Sequence, residues 1–285
     1  MSDRISVIAR AKLNLYLDIT GRRSDGYHLL ETVMQSIALS DTVHIELCGS
    51  GISVSCDNPD IPQNSGNICD KAARLFFEEI NQPPRAEIAI EKRIPHGAGM
   101  GGGSADAAAV LRGLNELFGL PVSEKRLLAL GLMCGADVPF CMVGGSKLCR
   151  GIGEEMSDIH DIANGYSFLV VMPDFTCPTG EAYRKWDASP LPPRGKLADF
   201  LEEGMECPEN MYNVFETLYA DKRIEKIRRT LLIEGRANAA GLTGSGAALF
   251  GVFPDEESAK RAEKLFGGFT TVCSPCGAGT EFLKE

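Results

Sequence analysis

Pro95-His-Gly-Ala-Gly-Met-Gly-Gly-Gly-Ser-Ala-Asp106 places five glycines within seven residues and runs straight into an alanine-rich segment. Glycine gives up more backbone freedom on folding than any other residue. A cluster this dense therefore implies left-handed angles, or a backbone that comes close to something. Beyond it, Ala107, Val110, Leu111, Leu114, Leu117 and Phe118 recur at three- and four-residue steps, the period of an amphipathic helix. Gly119 and Pro121 supply its stop. A glycine loop that opens a helix aims free N–H groups and the positive end of the helix dipole at one spot, which suits a phosphate. The plainer alternative is a tight loop packed on its own helix. No Gly-Lys-Ser/Thr follows, so the loop is not a Walker A sequence. Gly97, Gly99 and Gly102 have dinucleotide spacing, but Lys92-Arg-Ile-Pro95 stands where a buried strand should feed the turn.

Upstream, residues 5–19 alternate strictly. Ile5, Val7, Ala9, Ala11, Leu13, Leu15, Leu17 and Ile19 share one face; Arg10, Lys12, Asn14, Tyr16 and Asp18 share the other. This predicts a long strand whose second face is too polar for core. Gly21-Arg-Arg-Ser-Asp-Gly26 reads as a turn, 29–39 and 42–47 as two further segments, 67–80 as a helix and 87–91 as a strand. Downstream, 123–134 reads as a helix with Ser123 as its N-cap. Pro139 biases Val138 toward an extended backbone, which puts Asp137 at a break. Strands are predicted at 166–172, 247–253 and 270–273, and helices within 197–235 and at 256–266. The mixed order predicts an α+β protein in two layers with a seam near 155–165.

At 285 residues, 44% hydrophobic and 24% charged, the composition is that of an ordinary globular protein. The net charge of −10 argues against a nucleic-acid partner, which needs a basic face. It also leaves an anionic substrate to local donors rather than to global attraction. The opening residues carry no apolar segment with a cleavage site, and no apolar run approaches membrane-spanning length. A cytoplasmic protein without membrane contact is the expectation. The ten cysteines are scattered; Cys273-Ser-Pro-Cys276 is a single close pair and the four histidines lie far apart, a poor zinc signature.

Three further features could carry chemistry. Asp137 lies among Met133, Cys134, Val138 and Phe140, where it reads equally as a turn aspartate. Lys12 alone could be a lysine snorkelling from a strand edge. Beside a phosphate loop, however, the pair fits phosphoryl transfer: an aspartate to orient or deprotonate an acceptor hydroxyl, and a lysine to neutralise developing charge. Asn14 is two residues from Lys12 and shares its strand face. Gly241-Leu-Thr-Gly-Ser-Gly246 is either a hairpin turn or a second wall of donors. Tyr27 and His28 follow a glycine turn and offer an aromatic face and a hydrogen-bonding ring, as an ordinary half-buried pair also would.

Ala11-Lys-Leu-Asn-Leu15, the loop at 95–106, Gly135-Ala-Asp-Val-Pro139 and Leu242-Thr-Gly-Ser-Gly246 together resemble the GHMP small-molecule kinases. Gly21-Arg-Arg-Ser-Asp-Gly-Tyr-His28 and Glu31-Thr-Val-Met-Gln35 narrow the likeness to a branch whose acceptor is a cytidine-diphosphate-linked methylerythritol. The resemblance implies a two-domain α+β GHMP kinase fold, ribosomal-protein-like over 1–160 and ferredoxin-like over 161–285, with the active site in the cleft between them. It implies ATP with Mg2+ as co-substrate and Lys12 and Asp137 as catalytic residues. The ATP cradle would comprise Pro95, His96, Gly97, Ala98, Gly99, Met100, Gly101, Gly102, Gly103, Ser104 and Ala105, with Asn67 near the adenine. Asn14, Tyr27, His28, Thr179 and Tyr183 would hold the acceptor. Ala105 stands where many members carry a second serine, and no acidic metal ligand is evident. A homoserine- or mevalonate-type kinase is the competing reading, and a nucleotide-binding regulator without activity is a reading from another class.

Overall fold

A computed structural model describes residues 3–219 and 221–283. Two 19-residue strands, β1 (Arg4–Arg22) and β2 (His28–Glu46), pair antiparallel over nearly their full length. The predicted alternation makes β1 amphipathic in composition but not in exposure. Val7, Ala9, Ala11, Leu13, Leu15, Leu17 and Ile19 are buried, and so are Lys12, Asn14, Tyr16 and Asp18 on the other face. The two segments predicted over 29–39 and 42–47 are one strand. Pairing with β1 carries it through Ser40 and Asp41, and the Asp41 carboxylate is wholly buried and bonded to backbone.

Next come β3 (Gly51–Cys56), α1 (Ile68–Glu79) and β4 (Arg85–Glu91), with α1 crossing between parallel β3 and β4. β3 is short and largely exposed, which is why the hydrophobic pattern missed it. α2 (Gly102–Leu117) lies on β1 and β2. Its alanines at 105 and 107–109 are fully buried, and a Cβ on Gly113 would come within 2.5 Å of Ile45. Small residues thus set the close approach of helix to sheet.

α3 (Glu124–Cys134) and α4 (Val138–Val143) complete the helical layer. One local expectation holds in position only, and another fails. Ser123 holds the N-cap position of α3 but makes no side-chain cap bond. Val138 is helical rather than extended, because Pro139 falls in the first turn of α4, where its missing N–H costs nothing. β5 (Ser146–Arg150) and β6 (Glu155–Asp158) extend the sheet from β2.

The chain continues through β7 (Ser167–Met172), α5 (Thr179–Ala188), α6 (Leu197–Glu203), β8 (Tyr212–Asn213), α7 (Val214–Leu218) and α8 (Lys222–Arg229). The all-helical reading of 197–235 is corrected by β8, which pairs in parallel with Tyr16 and Leu17 of β1. β9 (Ala239–Leu242), β10 (Leu249–Phe253), α9 (Glu256–Glu263), β11 (Phe269–Cys273) and β12 (Thr280–Phe282) end the chain. The second sheet has the antiparallel order β11-β7-β10-β9, the ferredoxin-like βαββαβ arrangement, while β12 returns to pair with β1. β1 serves both cores: Val7 to Leu15 pack with α1–α4, whereas Leu17 and Ile19 pack with Trp186, Phe215 and Phe253. Its midpoint, at Lys12 and Asn14, therefore lies where the two halves meet. Among the described residues, no helix is long and apolar enough to cross a membrane.

Candidate active site

The glycine loop is stitched between β1 and the turn that joins β9 to β10. Lys12 N–H donates to Met100 O at 3.0 Å, and Ala248 N–H donates to Ala98 O at 3.2 Å. Gly99 takes φ +76°, and a Cβ there would lie 2.2 Å from Thr243 O. Gly101, at φ +70°, is the N-cap of α2. Both predicted uses of glycine, left-handed angles and close backbone approach, are present. The N–H groups of Gly102, Gly103 and Ser104 fall in the first turn of α2, where a helix offers them no internal acceptor. They border a cleft of about 370 Å³. The turn at 241–246 proves to be both things considered for it: it closes the β9–β10 hairpin, and Gly244 and Ser245 line the same cleft.

Lys12 reaches into this cleft with its side chain only 4% exposed. Its ammonium donates to Asn14 Oδ1 at 2.6 Å and to Gly99 O at 3.0 Å, and stands 3.5 Å from Asp137 Oδ2. Asn14 is the hub of a buried network. Its Oδ1 also accepts from Gly244 N–H at 2.9 Å, its Nδ2 donates to Thr32 Oγ1 at 2.8 Å, and its backbone N–H donates to Thr243 Oγ1 at 3.0 Å. A snorkelling lysine would keep its charge in water; this one does not. Asp137 sits at the N-cap position of α4, yet its carboxylate makes no cap bond. Its side chain is 36% exposed, and it lines the same cleft as the glycine loop. A capping role is therefore excluded, and the carboxylate is free to meet a ligand.

The remaining predicted residues divide. Pro95 through Ser104 line the cleft, as do Asn14, Thr179 and Tyr183. Ala105 is wholly buried beneath the loop. Asn67 caps α1, accepting from Cys69 N–H and donating to Pro62 O, so its amide is already committed. His28 stacks on Tyr183 at 4.5 Å, meets Trp186 edge-on, and bonds through Nε2 to Asp187 at 2.8 Å. Tyr27 is 58% exposed, and neither it nor His28 lines the cleft wall. Thr179 shares a 2.9 Å hydrogen bond with Ser245.

Residues 67–145 match the GHMP kinases N terminal domain, and residues 200–264 match GHMP kinases C terminal. A 4-diphosphocytidyl-2-C-methyl-D-erythritol kinase of Acetivibrio thermocellus is 42% identical over 264 residues, covering 90% of this chain and 93% of its own. The chain belongs to the GHMP kinases, in the branch of the 4-diphosphocytidyl-2-C-methyl-D-erythritol kinases. A relative of the same name from Alkaliphilus oremlandii is 40% identical across 98% of this chain and 99% of its own. A crystal structure of a 4-(cytidine 5'-diphospho)-2C-methyl-D-erythritol kinase superposes with a TM-score of 0.79 at 31% identity, over 96% of this chain and 100% of that one. The homoserine kinase of Cytophaga hutchinsonii superposes nearly as well, at 0.78, but at 19% identity it shows the shared fold alone.

The motifs that mark a GHMP kinase do not include Lys92, which sequence reasoning treated only as an interruption before the loop. Its ammonium is buried between Asp41 and Asp106, and it borders the cleft. Thr32 and Thr243, which complete the Asn14 network, lie in segments that carry the family likeness, but their meeting with Asn14 was not legible; pairing partners across a sheet and a hairpin cannot be read from spacing. Beneath the cleft floor, burial and the nearby Asp137 charge push the thiols of Cys141 and Cys149 up, Cys149 to about 12, so neither is a nucleophile.

Burial likewise pushes Asp106 up, to about 8. The carboxyl faces Lys92 and Asp41, with the thiols of Cys56 and Cys69 nearby, themselves raised by burial. The folded kinase thus holds this proton to higher pH than the unfolded chain does. Its contribution to stability is fully present below the ordinary carboxylate value of 3.8 and is lost as pH rises toward 8. Thermal denaturation should show the wild type losing stability relative to Asp106→Asn between pH 5 and pH 8.5. A constant difference across that range contradicts the raised value.

Proposed function

We propose that this GHMP kinase transfers the γ-phosphoryl group of ATP to the 2-hydroxyl of 4-diphosphocytidyl-2-C-methyl-D-erythritol, a step in the non-mevalonate route to isoprenoid precursors. The observation that carries the reading is the juxtaposition of Lys12 and Asp137, 3.5 Å apart, facing a glycine loop whose amides open onto the same cleft. Residues 95–105 cradle the triphosphate through the amides at the start of α2. Asp137 orients the acceptor hydroxyl and takes its proton; Lys12 stabilises the oxygen that this leaves and the charge on the transferring group. Asn14 holds Lys12 in place and offers the acceptor a polar edge. Tyr27, His28, Thr179 and Tyr183 hold the cytidine end, and Asn67 lies toward the adenine side.

Mg2+ accompanies the nucleotide. Among the described residues no cluster of three or more acidic, histidine or cysteine side chains could hold it alone. That fits an ion carried chiefly by phosphate oxygens and water, with Asp137 and the Ser104 hydroxyl as the protein groups within the cleft that could approach it. The ion would supply charge neutralisation between the phosphates. We place the division between an N-terminal unit, 1–160, and a C-terminal unit, 161–285, and assign the enzyme to the cytoplasm with no nucleic-acid partner.

The decisive assay is ADP release by purified protein with ATP, Mg2+ and the cytidylylated acceptor, set against homoserine and mevalonate. Turnover is expected with the first acceptor. Turnover with homoserine or mevalonate instead would overturn the acceptor assignment and leave the family intact.

A further inference from the structure

We infer that Lys92, clamped between Asp41 and Asp106, is a positioning residue that sets the span of the phosphate loop. The inference rests on reading residues 95–105 as the ATP cradle, and nothing in the loop motif assigns it. The ammonium lies 2.5 Å from Asp41 Oδ2 and 2.7 Å from Asp106 Oδ2, and all three side chains are at most 4% exposed. The other oxygen of Asp41 accepts the backbone N–H groups of Arg93, at 2.6 Å, and Ile94, at 2.8 Å. Asp41 therefore anchors the root of the loop to β2. Asp106 lies one turn into α2 and anchors the exit. The loop's two ends are joined through one ammonium.

The other ties on the stretch between those ends, from Lys12, Thr243 and Ala248 to Ala98, Gly99 and Met100, all lie before α2 begins. Five residues of that stretch are glycines, with no side chains to pack and much freedom to lose. Lys92 Nζ lies 3.3 Å from where a Cβ on Gly102 would sit, directly behind the first turn of α2. A shift of Asp106 against Asp41 would move the amides of Gly102, Gly103 and Ser104 with it. Fold stability alone is a weak reason to keep such a cluster, since well-packed apolar groups often replace buried ion pairs at no cost. Asp106 Oδ1, moreover, is buried without a hydrogen-bond partner. That leaves the geometry of the loop as what the cluster serves.

Asp106→Ala separates the two roles. It removes the tie between Lys92 and α2 while leaving Lys92 paired with Asp41, and alanine suits the helix. The variant should melt at or above the wild-type temperature. Its KM for ATP should rise by about tenfold, the worth of one charge-assisted contact. The KM for the acceptor should stay unchanged. Asp106→Asn, whose amide oxygen can still accept from Lys92, should recover most of the ATP affinity. The inference is overturned by a folded Asp106→Ala with an unchanged KM for ATP. It is overturned equally by an Asp106→Ala that does not fold, which makes the cluster a structural brace, or by an Asn variant no better than Ala. Hydrogen exchange with and without ATP separates this from the reading beneath it. Absence of protection over 97–105 in the wild type sinks the loop assignment itself. Protection there, with Asp106→Ala behaving as wild type, sinks only the positioning role of Lys92.

Discussion

Asp137→Asn should lower turnover by about two orders of magnitude or more, the usual worth of a positioned general base. The substitution keeps shape and removes one proton acceptor. The carboxylate makes no cap bond to α4, and its ion-pair partner among the described residues is Lys12 at 3.5 Å. The melting temperature and the KM for ATP should therefore stay near wild type, and the loss should appear in kcat. Steady-state ADP release at saturating substrates measures it. A folded variant with near-normal turnover would remove Asp137 from the chemistry. An intermediate loss of a few fold would mean orientation without proton transfer, which a loose phosphoryl-transfer transition state permits.

Lys12→Met should cost about 10²–10³ in turnover, the range seen when one donor aimed at developing charge is deleted. Methionine fills a similar volume beneath Gly101, whose Cβ, if it had one, would stand 3.2 Å from the Lys12 side chain. The groups left behind keep other partners: Asn14 Oδ1 retains Gly244 N–H at 2.9 Å, and Gly99 O retains Thr243 Oγ1 at 3.3 Å. The fold should therefore survive, while Asp137 loses its cation and the loop loses one of its anchors. Here KM for ATP should rise together with the fall in kcat, unlike the Asp137 variant. Lys12→Arg should not restore activity, because a planar fork cannot occupy the place of a compact ammonium bonded on three sides. Turnover within tenfold of wild type in folded Lys12→Met would contradict the role given to the charge.

The difference between what could be read in the chain and what could not follows the range of the interactions. The helix after the loop was legible because its apolar residues lie three and four apart, a purely local pattern, and the strand at 5–19 because its residues alternate. Asp137 was legible as a break for the wrong local reason. Pro139 does not extend Val138 but sits in the first turn of α4, and both arrangements leave the aspartate outside a helix interior. β8 and β12 were not legible at all, since strands of two and three residues exist only where β1 offers them an edge. Lys92 was read as an interruption because its partners lie 51 and 14 residues away.

Sequence alone determined that a glycine loop opens a helix, that Lys12 and Asn14 share a strand face, and that the chain resembles the GHMP kinases. Each of these depends on residue type and near-neighbour spacing. Tertiary structure decided that the lysine is buried against Asp137, that the loop is held between β1 and the 243–248 turn, and that Asp41, Lys92 and Asp106 share one buried charge cluster. Those facts rest on contacts between segments up to 230 residues apart, such as Asn14 with Gly244. The free energy of such contacts comes from desolvation and close approach, which no local pattern records.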